Sequence, residues 1–333
     1  MKKCLFISSR DSVFTEPVLR ALSRAGLEAR FVDFRGHALL RPGSILRRVT
    51  GKLPHSVRTA LFQRAQKSAD RRILSAARSF RPDVVLASKA KEVSEETLSE
   101  LRRIAVTANW YTETLDHWEG IRSVAHWYDH FFSFDRGVID RLAAEGYDSA
   151  HYLPFCADAA AGSMEHPRPI PISFVGTYHT QARADRIAVL KCVADLGLSV
   201  WGNGGWQYSP LQDNYRGKIS TEGMLDTYRL SRIVINQYMS SAIPGSGINI
   251  RPFQATANGA MLLNDDARAD IFQLFDAGKE FIPYHDAEDA REKAQYYLRN
   301  ERERFAIAEA GYKRLCRDHT YDRRIAELLR VIL

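Results

Sequence analysis

Short apolar runs of strand length alternate with helix-length amphipathic stretches along the chain, and this alternation limits the fold more than any other feature. Residues 2–8, 29–34, 81–88, 104–110, 130–134 and 151–153 read as strands. Helical spacing fills the intervals 16–26, 56–80, 94–103 and 137–145. The first of these helices stops at Gly26, and the one from Ser94 opens with an acidic first turn that suits the helix dipole. The tract 81–88 turns apolar after a Pro-Asp pair, as expected of a parallel strand covered on both faces. The pattern breaks at 157–171, where Pro167, Pro169 and Pro171 follow a run of small residues, a linker composition. It resumes with strands at 172–175, 198–201, 233–236, 260–263 and 281–284. Helices at 182–196, 221–230, 252–258 and 269–275 separate them, and further helices run to the end. Strands separated by helices pair in parallel, so two α/β units are expected, with a ligand-binding cleft between them.

Bulk properties remove several alternatives. The 333 residues suffice for two cores, and 45% hydrophobic with 26% charged residues is ordinary globular composition. No apolar run reaches the roughly 18 residues of a membrane span. The first apolar run ends at Ile7, too short for a signal-peptide core, so the expectation is a first strand and a cytoplasmic protein. Cys4, Cys156, Cys192 and Cys316 are too scattered for a metal cluster or a disulfide framework. The net charge of +7 is unevenly spread: residues 1–80 hold 17 Lys+Arg against 5 Asp+Glu, and the remaining 253 hold 30 against 35. The excess is densest across residues 41–81. Such a segment suits an anionic membrane surface, an acidic glycan or nucleic acid, or is a solvated helix face. No nucleic-acid-binding module accompanies it, so nucleic acid is not expected as a partner, whereas a peripheral position at the inner face of a membrane is.

The stretch richest in chemistry runs from Pro244 to Ala260, PGSGINIRPFQATANGA. A glycine-bearing loop leads into a short helix beginning near Arg251 and Pro252, where proline is favoured in a first turn. Glycines let backbone approach a ligand, and free N–H groups at a helix start bind anions. Asn249 and Arg251 add donors where a diphosphate would sit, and Gln254 is one turn further in, within reach of ribose hydroxyls. A plain loop-to-helix junction would read the same way, since Gly-x-Gly alone is a weak signal.

The run from Asn249 through Ala260 resembles the nucleotide-sugar signature of GT-B glycosyltransferases, and among them the spore maturation protein CgeB-like family, with its Asn-x-Arg-x-Phe-Glu followed by small residues and glycine. Further stretches match in order: Trp110 to Trp118, Phe132 to Asp135, Tyr152 to Asp158, Ser173 to Gly176, Phe281 to Asp286, Ala294 to Leu298, Ala308 to Gly311 and His319 to Arg323. The resemblance covers about residues 105–330, strongly past 170. It implies two Rossmann-like domains facing across a cleft, the GT-B fold. Residues 1–160 would form the acceptor-side domain and 170–315 the nucleotide-sugar domain, with a closing helix at 316–333 crossing back to the first. It also implies a hexosyltransferase-like enzyme of polysaccharide biosynthesis, taking a sugar from a nucleotide-sugar to a glycan or lipid-linked acceptor with retention, and needing neither metal nor other cofactor. On the donor side it points to Gly176 and Thr177, to Arg183 or Arg186 as phosphate partner, to Asn249, Ile250, Arg251 and Gln254, and to Tyr284 and Asp286. Arg251 would neutralise charge developing on the leaving diphosphate. There is one departure: where related retaining enzymes often carry two glutamates eight positions apart, this chain has Ser246 and Gln254. An amide oxygen still accepts a ribose hydroxyl, but without charge assistance. A catalytically silent relative that only binds nucleotide or glycan is the alternative.

On the acceptor side, WYTETLDHW follows a strand end. Trp110, Tyr111 and Trp118 offer faces for stacking on a sugar, and Glu113, Asp116 or His117 could bind hydroxyls or take a proton. An inverting enzyme would need such a base, whereas in a retaining one the leaving diphosphate can accept the proton. Asn264, Asp265 and Asp266 read as a loop or helix start, too few oxygen ligands for a divalent cation.

Overall fold

A computed structural model describes residues 1–36, 39, 44–89, 93–160, 162, 164–178, 184–238 and 247–333, with backbone only at 184 and 185. Arg183 and Ser246, both candidates above, lie outside the described residues, as does the start of the basic segment at 41. The chain divides into two compact units, one of Met1–Pro154 with Tyr321–Leu333, the other of Phe155–Thr320.

The first unit runs β1 (Lys3–Ser8), α1 (Thr15–Arg24), β2 (Glu28–Asp33), α2 (Ile45–Thr50), α3 (His55–Phe80), β3 (Val84–Ser88), α4 (Glu95–Arg102), β4 (Val106–Tyr111), α5 (Trp118–Ala125), β5 (His130–Ser133), α6 (Arg136–Ala144) and β6 (Ala150–Tyr152). Its strands pair in parallel in the order β2-β1-β3-β4-β5-β6. In α3, Ala65, Ala69, Ile73, Ala77 and Phe80 are buried at spacings of three and four, one helical stripe. Its lower part packs with Leu5, Ile7, Val85 and Ala87. Ser94 caps α4 through its hydroxyl, which accepts from the Thr97 N–H at 3.2 Å, as the acidic start predicted. The sequence reading missed α2 and α5, which are only six and eight residues long.

The second unit contributes β7 (Ile170–Val175), α7 (Ala184–Cys192), β8 (Leu198–Trp201), β9 (Tyr215–Gly217), α8 (Thr221–Arg229), β10 (Ser231–Asn236), α9 (Arg251–Ala257), β11 (Met261–Asp265), α10 (Ile271–Leu274), β12 (Ile282–Tyr284), α11 (Ala287–Arg299) and α12 (Glu301–Asp318). The parallel order is β9-β8-β7-β10-β11-β12, the doubly wound Rossmann order. Asn264 and Asp265, expected in a loop, end β11 in full burial, because two polar residues continue its register against β10 and β12. The proline-bearing stretch is not loose chain. Arg168 donates to the carbonyls of Tyr228 and Arg229 at the end of α8, Asn258 after α9 and Ser231 at the start of β10. Burial, with Arg304 nearby, pulls the Arg168 guanidinium down to about 10.

The last helix, α13 (Tyr321–Ile332), belongs to the first unit. Its buried stripe of Tyr321, Ile325, Leu328 and Ile332 is spaced for one face. Arg24 of α1 pairs with Asp322 at 2.7 Å, and Arg324 donates to the Pro154 carbonyl at 2.9 Å. No described helix is long and apolar enough to cross a membrane.

Candidate functional site

In a doubly wound sheet, the chain leaves two neighbouring strands in opposite directions at one point, and the helices part there to leave a crevice at the strand carboxyl ends. In the second unit this point lies between β7 and β10, and Arg251, the first residue of α9, occupies it. Its guanidinium donates to the Val175 carbonyl at 2.5 Å, ending β7, and to the Asn236 side-chain oxygen, ending β10. It lies 5.0 Å from the centre of the Phe174 ring. Asn249 supports it from both sides: Oδ1 accepts from the Arg251 N–H at 3.1 Å, and Nδ2 donates to Asn236 Oδ1 at 3.2 Å. Asn236 in turn donates to Asn264 Oδ1 at 2.7 Å. The Arg251 Nε is buried with no hydrogen-bond partner. Every group that Arg251 meets among the described residues is neutral, so this half-buried cation lacks a carboxylate counter-charge.

Of the other donor-side candidates, Arg186 reaches the same ring. Arg186 is buried, donates to the Gln237 carbonyl at 3.0 Å and lies 5.5 Å from the Phe174 ring centre, so one ring carries both arginines. Gln254, one turn into α9, is 6% exposed, and its amide has no hydrogen-bond partner among the described residues. Thr177 is exposed after β7, and Ile250 immediately precedes α9.

Three candidates have tasks other than those expected. At Gly176 the sequence leads one to expect backbone approaching phosphate. A Cβ there would instead meet the Phe174 ring and come within 3.4 Å of Arg251, so the missing side chain makes room for protein. Its carbonyl accepts from Trp206 Nε1 at 2.8 Å. Tyr284 was expected beside the nucleotide. It is 2% exposed, its hydroxyl bonds the Asn236 carbonyl at 2.8 Å and Gln237 Oε1 at 2.6 Å, and burial pushes its phenol well above the ordinary range. Asp286 caps α11, its carboxylate accepting from the Asp289 N–H at 2.8 Å.

The first unit has its own crossover point, between β1 and β3. A crevice of about 260 Å³ opens there, lined by Ser8 at the end of β1 with Ser9 and Asp11 beyond it, Phe34 and Arg35 after β2, Ser88 at the end of β3 with Lys89 beyond it, and Thr112 after β4. Lys89 holds φ +60°, a left-handed conformation costing an L-residue roughly 1–2 kcal/mol. Its N–H is held by the Trp110 carbonyl and Asn109 Oδ1, each at 3.2 Å, and its ammonium is ion-paired with Glu113. His117 Nδ1 lies 3.7 Å from the other Glu113 oxygen, while Asp116 is exposed and accepts from the Thr114 hydroxyl at 3.3 Å. Of the three alternatives for a base, Glu113 and His117 therefore lie together, and Asp116 is bonded to Thr114 instead.

The aromatic acceptor candidates need correction. Trp110 and Tyr111 are each 2% exposed, because β4 runs on to Tyr111 and is covered on both faces. Tyr111 packs with Trp118, Ile121 and Phe131, and Arg141 lies over the Trp118 ring at 4.4 Å. None keeps a free face for a sugar. The crevice residues, by contrast, escaped the sequence reading. Ser8 and Ser9 could have been found as the polar end of the first strand, but nothing in the sequence marks the left-handed Lys89.

Residues 183–330 match the family described as Glycosyl transferase-like. No curated protein matches the chain. Among solved structures, sucrose-phosphate synthase from Thermosynechococcus elongatus superposes with a TM-score of 0.68 at 11% identity, covering 99% of this chain and 98% of its own. HepE of Anabaena, solved in complex with UDP-glucose, gives 0.63 at 10% identity, covering 99% and 100%. A putative UDP-N-acetylglucosamine 2-epimerase from Listeria monocytogenes gives 0.61 at 12%, covering 100% and 96%. At these identities the likeness is one of fold. The chain is thus an α/β protein of two Rossmann-like units with the fold of GT-B glycosyltransferases, and its residues 183–330 match the glycosyl transferase-like family.

Proposed function

We propose that this protein is a glycosyltransferase that moves a sugar from a nucleotide-sugar donor bound by the second unit to a glycan or lipid-linked acceptor bound by the first. The observation that carries the reading is Arg251, a half-buried cation with only neutral partners at the β7/β10 crossover. A diphosphate is the counter-charge such a position lacks, and its negative charge grows as the glycosidic bond breaks, so the same contact strengthens in the transition state. Arg186, on the same Phe174 ring, adds a second positive charge. The unpartnered Gln254 amide suits a neutral hydroxyl such as those of ribose. The family match spans Arg186, Asn249, Arg251 and Gln254.

In the first unit, the serines of the crevice with Arg35 and Lys89 suit sugar hydroxyls or the phosphate of a lipid carrier. Retention without a metal accords with this arrangement. The leaving diphosphate takes the acceptor proton, and Glu113, engaged by Lys89, serves to position rather than to deprotonate. A polysaccharide-building role at the inner face of a membrane completes the reading.

The test is a thermal-shift screen with UDP, GDP, dTDP, CMP and their sugars, followed by turnover with the best binder. UDP comes first because HepE, of the same fold, was solved with UDP-glucose. A nucleotide that binds only the folded state raises the melting temperature. No shift with any of them would overturn the reading. A second reading, a binding protein without transfer activity, is favoured by the absent glutamates at 246 and 254. Nucleotide binding with neither transfer nor hydrolysis would establish it.

A further inference from the structure

Residues 34–69 contain no carboxylate and eight Lys or Arg. On this run the structure places α2 and the first turns of α3, and from 45 to 57 every residue except Thr50 is exposed. Ile45, Leu46, Val49, Leu53 and Val57 lie within these thirteen positions and make up five of the fourteen large apolar side chains exposed among the described residues. Ile45 is 78% exposed and Val49 58%. Folded chains rarely group apolar side chains on a surface unless something covers them. On α2, helical spacing puts Ile45, Leu46 and Val49 to one side and Arg47 and Arg48 to the other. The hairpin is held to the rest of α3 by Arg47, which lies over the Phe62 ring at 5.4 Å.

We infer that residues 45–57 form an amphipathic hairpin that seats the first unit on an anionic bilayer, with Ile45, Leu46, Val49, Leu53 and Val57 entering the acyl boundary while Arg48 and Lys52 meet the headgroups. Apolar and cationic side chains together, without a single acid, match the chemistry of that surface. Nucleic acid or an acidic glycan would engage the cations and leave the apolar groups in water. A second copy of the chain would bring two acid-free basic segments together. The inference deepens the membrane part of the proposed function and rests on it for the presence of a bilayer. It is independent of the donor site.

The test uses the full chain and sedimentation with vesicles of phosphatidylcholine alone or with about 30% phosphatidylserine. At least about 25-fold stronger partition onto the anionic vesicles is expected. Each cation near the surface contributes roughly fivefold, so Arg48→Gln/Lys52→Gln should lower binding about 25-fold. Ile45→Ser/Val49→Ser should release the protein in about 0.5 M salt, where electrostatic attraction is screened and wild type still holds. These exposed substitutions should leave the melting temperature and any nucleotide-induced shift unchanged, which separates loss of seating from loss of fold. Equal binding to both vesicle types would overturn the inference. So would an Ile45→Ser/Val49→Ser variant that binds like wild type, or one that instead loses a dimer formed by a wild type that ignores vesicles. Vesicle binding without any nucleotide shift would sink the donor reading and leave this one standing.

Discussion

Replacing Arg251 separates the two tasks its guanidinium performs. Internally it ties the ends of β7 and β10 together through Val175 and Asn236. Each hydrogen bond from a charged donor contributes about 1.5–3 kcal/mol, and the contact with Phe174 adds about 0.5–1 kcal/mol. Against this, removal relieves the cost of the buried, unpartnered Nε, about 1–2 kcal/mol. Arg251→Ala should therefore cost about 4 kcal/mol. In a unit of this size, that lowers the melting temperature by roughly 8–16 °C. Arg251→Lys keeps the charge but reaches only one of the two acceptors, so its loss should fall between the two. The second task is read by adding nucleotide. A diphosphate at a hundred times its dissociation constant stabilises by about 2.7 kcal/mol, and losing one charge-assisted contact should weaken its binding roughly tenfold or more in Arg251→Ala, less in Arg251→Lys. Differential scanning fluorimetry with and without UDP gives both numbers. An Arg251→Ala protein melting within about 2 °C of wild type would show that the guanidinium does not clamp the strand ends. An unchanged UDP shift would show that it is not the anion's counter-charge.

Three further predictions follow from the same geometry. Gly202 has φ +140°, and a Cβ there would overlap the Gly176 carbonyl, so Gly202→Ala should destabilise the second unit by more than about 2 kcal/mol. A urea midpoint that does not move would refute that packing. Lys89→Gly relieves a left-handed backbone at the loss of one half-exposed ion pair, so stability should stay within about 1 kcal/mol while acceptor-dependent transfer drops. A large loss of stability would mean that the side chain is structural. His151 titrates below its usual range because it is partly buried and 3.2 Å from His130. The folded state then binds fewer protons than the unfolded one, so stability should fall as pH drops through about 6.5 and below. His151→Asn should flatten that dependence between about pH 7.5 and 5.5, and an unaltered profile would assign it to other groups.

How far the sequence reaches can be judged from particular residues. The strand at 81–88, the stripe on α3 and the Ser94 cap were legible because each is a local rule: an apolar run, a spacing, a side chain bonding three residues ahead. The same holds for the acid-free basic run, which composition alone displays. Segments far apart were also recognised as belonging together: Arg186 and Arg251 share the Phe174 ring, and Asn249 bonds Arg251 at the crossover. What the sequence left undetermined is how each side chain is used there. Trp110 and Tyr111 looked free for a sugar because a strand end can face water, but a strand covered on both faces hides successive residues alike. Tyr284, Gly176 and Asp286 carry donor-side signals in sequence and serve the fold in space, as a buried hydroxyl, a gap for Phe174 and a helix cap. Lys89 became visible only through its backbone angle. The periodic pattern of apolar residues determines which segments become strands and helices, since burial acts on every residue by the same rule. Which polar groups remain without a protein partner, Arg251 Nε among them, depends on contacts between segments far apart in the chain, and only the tertiary structure decides those.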